Sequence, residues 1–370
     1  MKKIIADPNI PMLDSFELMG EVVKMPGREW TNQLVLDADI LLTRSVTKVN
    51  EALLKNSQVK FVGSATSGFD HVDRDYLERK GIHFSYCPGS NAVSVAEYVV
   101  SALLSVIAPE KKLHGLTAGV IGCGQVGSRV IEKLEAVGIE CILNDPPLND
   151  LNDDGRYRPL EEALSADIVT LHTPLIYEGK YPTNKLINLQ HFQQMKPDVI
   201  FINSARGFVV DETDLFVHMR SNPSMKTVID CWEGEPDIDH RLLEKVSIGT
   251  PHIAGYSYDG KIKATRMLHE SVCEFFQINS AWPVENNMNK KVVELTELMD
   301  SHAYLRQAVL SSYDVRIDDK KMRTLLKLSV EASKKAFDDL RKNYAERREF
   351  DQIAFKTDQH VQALADLGFQ

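Results

Sequence analysis

Three side chains of this sequence, Arg206, Glu235 and His252, each come after a short apolar run that reads as a buried strand. Val199–Asn203 leads into Ser204-Ala205-Arg206-Gly207, and Thr227–Asp230 into Cys231-Trp232-Glu233-Gly234-Glu235-Pro236. Val246–Gly249 leads into Thr250-Pro251-His252-Ile253-Ala254-Gly255. In an open parallel sheet, ligands bind beyond the carboxyl ends of the strands. A guanidinium placed there can hold a carboxylate by two parallel hydrogen bonds and polarise an adjacent carbonyl. An imidazole can take a hydroxyl proton, and a carboxylate beside it can orient the ring and stabilise the imidazolium. Clamp, base and orienting acid are what a protein supplies when a nicotinamide carries the hydride. Taken singly, each residue has a simpler reading as a core, cap or surface ion-pair residue. Their emergence from three strand ends of one sheet favours the catalytic one.

The hydride carrier is signalled by Ala118–Ser128, A-G-V-I-G-C-G-Q-V-G-S, in which Gly122, Gly124 and Gly127 fall in the spacing G-x-G-x-x-G. Val120 and Ile121 precede them as a strand end; Val126, Val130, Ile131, Leu134 and Val137 recur at helical spacing, and Gly138 sits where that helix would stop. Strand, glycine turn and helix in that order present backbone N–H groups and a positive helix end to a pyrophosphate. Ile139–Leu143 reads as the next strand, and Asp145 stands 18 residues after Gly127, where a carboxylate accepts from the adenosine ribose hydroxyls. No Arg occurs after it until Arg156, so nothing nearby is placed for a 2′-phosphate and NAD is favoured over NADP. A tight turn without a ligand is the simpler alternative for the glycines alone.

These residues need a frame. Lys3–Ala6, Glu21–Met25, Asp39–Thr43, Lys60–Ala65 and Ile82–Ser85 read as strands, and Met12–Met19, Asn50–Lys55 and Val72–Lys80 between them as helices. Such alternation implies a parallel sheet covered on both faces. Two of its strand ends are polar, Arg44-Ser45 and Thr66-Ser67-Gly68; Ser45 and Thr66 read equally well as turn caps or as ligand contacts. Asn91–Ile107 is a long apolar helix ended by Pro109, which marks a domain boundary. Leu160–Leu164, Leu189–Met195 and Asp211–Arg220 read as helices, and Asp167–His172 as a further strand, giving about six parallel strands with the glycine unit. A second long helix runs from Tyr256 to Gln277. Beyond Pro283 the glycine spacing ends, Met322–Arg348 carries Lys, Arg, Glu and Leu at helical spacing, and its basic run 341–348 reads as a solvated helix face.

The totals bound the answer. With 370 residues the chain holds two or three domains; 43% hydrophobic and 26% charged residues are a globular composition. The net charge of −10 argues against a nucleic-acid binder. An acidic protein that handles an anionic substrate must gather its positive charge locally, so individual Arg positions matter. Cys87, Cys123, Cys141, Cys231 and Cys273 include no C-x-x-C pair and read as small buried residues of a reducing compartment. No metal site is expected. Lys2 and Lys3 precede only Ile4, Ile5 and Ala6, too short for a signal peptide; no run is long enough to span a bilayer. A cytoplasmic location with no membrane association is therefore expected.

Together these motifs resemble the D-isomer-specific 2-hydroxyacid dehydrogenases over essentially the whole chain. The broad likeness rests on G-C-G-Q-V-G (122–127), N-S-A-R-G-F-V-V-D (203–211), E-G-E-P (233–236) and T-P-H-I-A-G (250–255). A narrower likeness, to a branch with a C-terminal extension, rests on R-S-V-T-K-V-N-E (44–51), F-V-G-S-A-T-S-G-F-D-H-V-D (61–73), T-P-H-I-A-G-Y-S (250–257), Y-D-V-R (313–316) and L-R-K-N-Y-A-E-R-R-E-F (340–350). The resemblance implies an α/β fold of two Rossmann-like, doubly wound parallel-sheet domains plus a small C-terminal α+β dimerisation domain. These are a flavodoxin-like substrate domain at 1–95 rejoined by 256–280, an NAD-binding domain at 96–255, and residues 281–370, through which a homodimer forms. It implies catalytic roles for Arg206, Glu235 and His252, and substrate contacts at Ser45, Thr66 and Tyr256. NAD contacts fall on Gly122, Gly124, Gln125, Val126, Gly127, Asp145, Thr173, Asp230 and Gly255. Relatives commonly carry Asn where Gln125 stands, and Cys or another small residue near Ala205. The narrower branch implies NAD-dependent oxidation, at C2, of a four-carbon sugar acid phosphorylated at C4. Arg44 is the first candidate for the phosphate, and an Arg of the 341–348 run reaching across a dimer the second. The alternatives are another acid of the class, such as 3-phosphoglycerate, or a non-catalytic NAD-sensing scaffold.

Overall fold

Runs such as Ile40–Thr43, Ile168–Leu171 and Ile200–Asn203 are buried at every position. A strand with no solvent face belongs in the middle of a parallel sheet covered on both sides, and that is where these lie. The structure is a computed structural model and describes residues 1–152, 155–283, 291–295, 301–356 and 361–370. It divides into two compact units, Met1–Asn91 with Ser257–Asn289 and Ala92–Tyr256 with Lys290–Gln370.

The strands are β1 (Lys2–Ala6), β2 (Gly20–Lys24), β3 (Ile40–Thr43), β4 (Phe61–Ser64), β5 (His83–Tyr86), β6 (Thr117–Ile121), β7 (Glu140–Asn144), β8 (Ile168–Leu171), β9 (Ile200–Asn203), β10 (Lys226–Ile229), β11 (Ile248–Gly249), β12 (Lys291–Val293) and β13 (Ile353–Phe355). The first unit holds a parallel sheet of order β2-β1-β3-β4-β5. The second holds a parallel sheet of order β11-β10-β9-β8-β6-β7. Strand order reverses beside β1 in one and beside β6 in the other, and such switch points open a crevice beyond the strand ends. The helix Tyr258–Phe276, capped by the Ser257 hydroxyl, returns the chain to the first unit and buries Ala264, Leu268 and Val272 against Ile4, Ile40, Leu42 and Phe61.

The C-terminal residues share the core of the second unit. Tyr304, Val309, Phe350 and Leu367 join Val120, Val130 and Leu134 in one apolar cluster, each fully buried side chain of this kind contributing ~1.5–3 kcal/mol. Polar ties accompany that packing. Ser101 donates to the Tyr313 carbonyl (2.8 Å), the Gly249 amide to Asp319 (2.8 Å), and Lys133 to the Leu367 carbonyl (2.6 Å). The short parallel pair β12–β13 completes this region.

Three expectations need correction. Met12–Met19 holds one 3₁₀ turn, Leu13–Phe16, entered through Met12 in the left-handed region at φ +56°. Met322–Arg348 is not one helix: Arg316–Met322 tightens into the 3₁₀ turn Arg323–Lys327, and a separate helix, Val330–Lys342, comes after it. The basic run 341–348 is therefore no solvated helix face. Beyond Lys342 the chain is irregular, and Arg347 is buried. Its guanidinium donates to the carbonyls of Ala254 (3.1 Å) and Ser94 (2.6 Å), lies 3.6 Å from Glu97 and stacks over Tyr313 at 3.8 Å. Those partners engage both terminal nitrogens and offset a charge that helical periodicity places in water, while Nε is buried with no hydrogen-bond partner.

Candidate active site

The glycine turn begins where β6 ends. Gly122 has φ +88°, a conformation costly to any residue with a Cβ, and a Cβ on Gly127 would lie 1.9 Å from the Gly122 carbonyl oxygen. Only glycine permits helix Gln125–Ala136 to start that close to the strand. Gly124 is its N-cap, with no atom within 4 Å of where a Cβ would stand. Gly124 and Gln125 are exposed and Val126 is half-buried, so the first-turn N–H groups face open space. Asp145, just past β7, accepts from the Cys123 amide (2.8 Å) and caps Leu148 (3.0 Å), which ties its carboxylate to the turn. Against Gly122, Thr173 has its Oγ1 buried without a hydrogen-bond partner, an orphaned polar atom at a position expected to meet a cofactor. A helix N-terminus with open amides, an adjacent carboxylate and an unmatched hydroxyl fit an adenine dinucleotide.

At the other end of the same sheet, His252 Nδ1 and Glu235 Oε2 are 2.8 Å apart. The second Glu235 oxygen accepts from the Trp232 amide at 2.7 Å, so both oxygens are held. Burial pushes the Glu235 carboxyl up, but the His252 imidazole and the Trp232 N–H outweigh it and hold the group below its ordinary range. The carboxylate fixes the ring, and Nε2 is left as the atom that can exchange a proton with a substrate.

His252 sits at φ +56°, a strained setting for a residue with a Cβ, costing about 1–3 kcal/mol. Asp230 holds it there. Its carbonyl accepts from the His252 amide (2.8 Å), and its buried carboxylate accepts from Ile253 N (2.7 Å), Ala254 N (3.0 Å) and Thr250 Oγ1 (2.7 Å). Since that hydroxyl gives its proton to Asp230, Tyr98 OH donates to Thr250 Oγ1 at 2.7 Å. Asp230, expected as a cofactor contact, folds the turn that carries His252, and Gly255 lies at its end. Sequence reading missed this role, although a polar residue closing an apolar strand was the available signal.

Arg206 lies just past β9 with extended backbone, and its Nη1 donates to the Ala205 carbonyl at 2.8 Å. Asn203 braces the loop, donating to the carbonyls of Arg206 (3.1 Å) and Cys231 (3.3 Å) and accepting from the Ala205 amide (3.1 Å). It ties the Arg206 loop to the Glu235 loop and was not singled out from sequence. Cys231, Glu235 and His252 have donor atoms within 4.8 Å of one another. Burial raises the Cys231 thiol well above its usual range, which disfavours the thiolate that a metal ligand or nucleophile needs. Tyr256, just beyond Gly255, carries Arg341 over its ring at 5.8 Å.

The first unit carries the other expected contacts. Ser45 is exposed in the turn after β3. Arg44 beside it lies 3.8 Å from the buried carboxylate of Asp7. Thr66 Oγ1 donates to the Gly68 carbonyl (2.7 Å) and meets Ser64 Oγ (2.6 Å), which in turn meets His71 Nε2 (2.9 Å).

Comparisons with known proteins show the family and the fold. Residues 105–254 match the family model described as D-isomer specific 2-hydroxyacid dehydrogenase, NAD binding domain, and residues 286–368 match a domain of unknown function (DUF3410). The chain is 42% identical over 361 residues to the erythronate-4-phosphate dehydrogenase of Hahella chejuensis, covering 95% of this chain and 93% of that one. It is 42% identical over 379 residues to the protein of that name from Escherichia coli, covering 99% and 98%. Among solved structures, an NAD⁺-bound 3-phosphoglycerate dehydrogenase from Entamoeba histolytica aligns with TM-score 0.65 at 23% identity, over 77% of this chain and 99% of that one. A D-lactate dehydrogenase from Aquifex aeolicus, complexed with NAD and lactic acid, aligns with TM-score 0.63 at 24% identity, over 75% and 96%. Likeness at that identity speaks to the fold alone.

Proposed function

This chain belongs to the D-isomer-specific 2-hydroxyacid dehydrogenases and is an NAD-dependent oxidoreductase, and from that premise we propose that it oxidises 4-phospho-D-erythronate at C2, within pyridoxal 5′-phosphate biosynthesis. The product is 2-oxo-3-hydroxy-4-phosphobutanoate. The observation that carries the chemistry is the His252–Glu235 pair at 2.8 Å beyond the strands of the sheet that bears the glycine turn. The narrow substrate is supported by similarity that extends through the C-terminal residues.

Bound NAD would be held at Gly122–Gly127, Asp145, Thr173, Asp230 and Gly255, and supplies the hydride acceptor. His252 takes the C2 hydroxyl proton at Nε2. Glu235 keeps the ring oriented and stabilises the imidazolium, which suits a base worth ~10²–10⁴ in rate. Arg206 takes the substrate carboxylate, whose bidentate geometry fixes C2 relative to the base. Ser45, Thr66 and Tyr256 are assigned further substrate contacts. The division into substrate, NAD-binding and C-terminal domains belongs to the same reading. So do a homodimer formed through the C-terminal residues, where Ile317, Leu328 and Val330 expose apolar side chains, and a cytoplasmic location, with no described helix long and apolar enough to cross a membrane.

NADH formation at 340 nm, compared between 4-phospho-D-erythronate and 3-phospho-D-glycerate, tests the substrate. A hundredfold preference in kcat/KM for the erythronate, about 2.7 kcal/mol of discrimination, is expected. Preference for the glycerate would keep cofactor and base but remove the substrate and pathway.

A further inference from the structure

The substrate proposed above is anionic at both ends, and Arg206 accounts for only the carboxylate. Asp230 and Glu235 place two carboxylates in the same region of the second unit. A phosphate dianion entering it needs a second cation close by. Arg347 cannot serve, because its guanidinium is buried between the Ala254 and Ser94 carbonyls and the Tyr313 ring. Arg44 already has the Asp7 carboxylate at 3.8 Å.

Arg341 differs from both. It lies in the last turn of helix Val330–Lys342, its guanidinium carbon is 5.8 Å from the Tyr256 ring centroid, and it hydrogen-bonds to Tyr256. Its Nε, like that of Arg347, is buried with no hydrogen-bond partner, but among the described residues no backbone carbonyl accepts from its guanidinium as Ala254 and Ser94 do from Arg347. Against burial, which lowers its pKa, Glu235 and Asp230 act on its charge through space and raise it, without an ion-pair contact to it among the described residues. A half-buried guanidinium with its Nε unspent is stabilised when an anion completes it. Its planar fork matches a phosphate better than an ammonium would. The charge also reaches the catalytic pair, where it helps hold the Glu235 carboxyl down.

We propose that Arg341 of this same chain, with Tyr256 beside it, binds the phosphate of the substrate, so that the C-terminal segment completes the active site and sets its preference for phosphorylated acids. The inference rests on the substrate reading and adds to it. It gives residues 286–368, matched only to a domain of unknown function, a part in substrate selection.

The test is the ratio of kcat/KM for 4-phospho-D-erythronate to that for D-erythronate, measured on the full-length enzyme, Arg341→Gln and Arg341→Lys. Glutamine should lower the ratio roughly 10- to 100-fold, through KM for the phosphorylated acid. Equal losses on both acids would reveal a merely structural clamp on Tyr256 and overturn the proposal. So would an unchanged ratio, or a loss carried by Arg44→Ala instead. Should glutamine unfold the chain, as melting would reveal, lysine must still lower the ratio about tenfold, and a wild-type ratio in the lysine variant would overturn the proposal. A wild-type enzyme indifferent to the phosphate would sink the substrate reading and this inference together. A wild-type preference retained by Arg341→Gln would sink the inference alone.

Discussion

The two parallel sheets run the same course, and only one of them makes a nucleotide site. β1 and β6 hold equivalent places, each where strand order turns back. β6 ends in Gly122-Cys123-Gly124 and passes into a helix, Gln125–Ala136, with an exposed first turn. β1 ends in Asp7, a buried carboxylate that accepts from the Gly27 and Asn9 amides (3.1 and 2.9 Å), and the chain then makes only a single 3₁₀ turn. One switch point offers free N–H groups and a positive helix end. The other offers a negative charge whose lone pairs are already in use. Topology chose the location in both, and the residues of the turn chose the chemistry.

That contrast can be broken by substitution. The largest effect belongs to the second sheet. His252→Ala should lower kcat ~10²–10⁴-fold and leave NADH affinity, read by fluorescence titration, unchanged. A loss below tenfold would remove His252 as the base. Next comes the glycine turn. In Gly127→Ala the new methyl group meets the Gly122 carbonyl at 1.9 Å, and overpacking of this kind costs about 1–3 kcal/mol. It should appear as a matching fall in NADH affinity and in melting temperature; normal binding would separate cofactor from turn. In the first sheet, Ser45→Ala should raise KM about 3- to 10-fold, one hydrogen bond's worth, with kcat held. A fall in kcat alone would move Ser45 out of the binding role.

A further effect is a pH dependence of stability that sets two carboxyls of the second unit against each other. Glu235 titrates below its ordinary range. Its contribution is present above that range and is lost only as pH falls through the folded-state value. Glu97 is opposite: burial, against the pull of Lys133 and Arg347, pushes it from 4.5 up to about 8. The folded chain then binds the extra proton between those values, so stability falls as pH rises from about 4.5 to 8. Melting temperature should decline across that window, and Glu97→Gln should flatten the decline. An unaltered slope in the variant would assign it to other groups.

Much of the second unit was legible because its signals are local. Glycines at fixed spacing, an apolar run before them and a helix-stopping Gly138 at φ +84° lie within a few turns of chain, so spacing predicts their joint geometry. Arg206, Glu235 and His252 were readable for a related reason. Each stands just past its own strand, and parallel strands bring their carboxyl ends to one edge. The tail was misread because helical periodicity says nothing about where a helix stops or what lies beside it. Arg347 looks like one more solvated cation until the Ser94 carbonyl, 253 residues away, is seen to accept from it.

By itself, then, the sequence determined the parallel sheets, the glycine turn and the three side chains, Arg206, Glu235 and His252, that stand past the ends of neighbouring strands. The hydrophobic pattern of a strand and the conformation of a turn derive from neighbours along the chain. Only the tertiary structure decided that Asp230 folds the His252 turn, that Asn203 ties the Arg206 loop to the Glu235 loop, and that Arg341 lies over Tyr256. Those contacts join residues far apart in sequence, and buried charges choose partners by proximity in the folded core, which no spacing along the chain encodes.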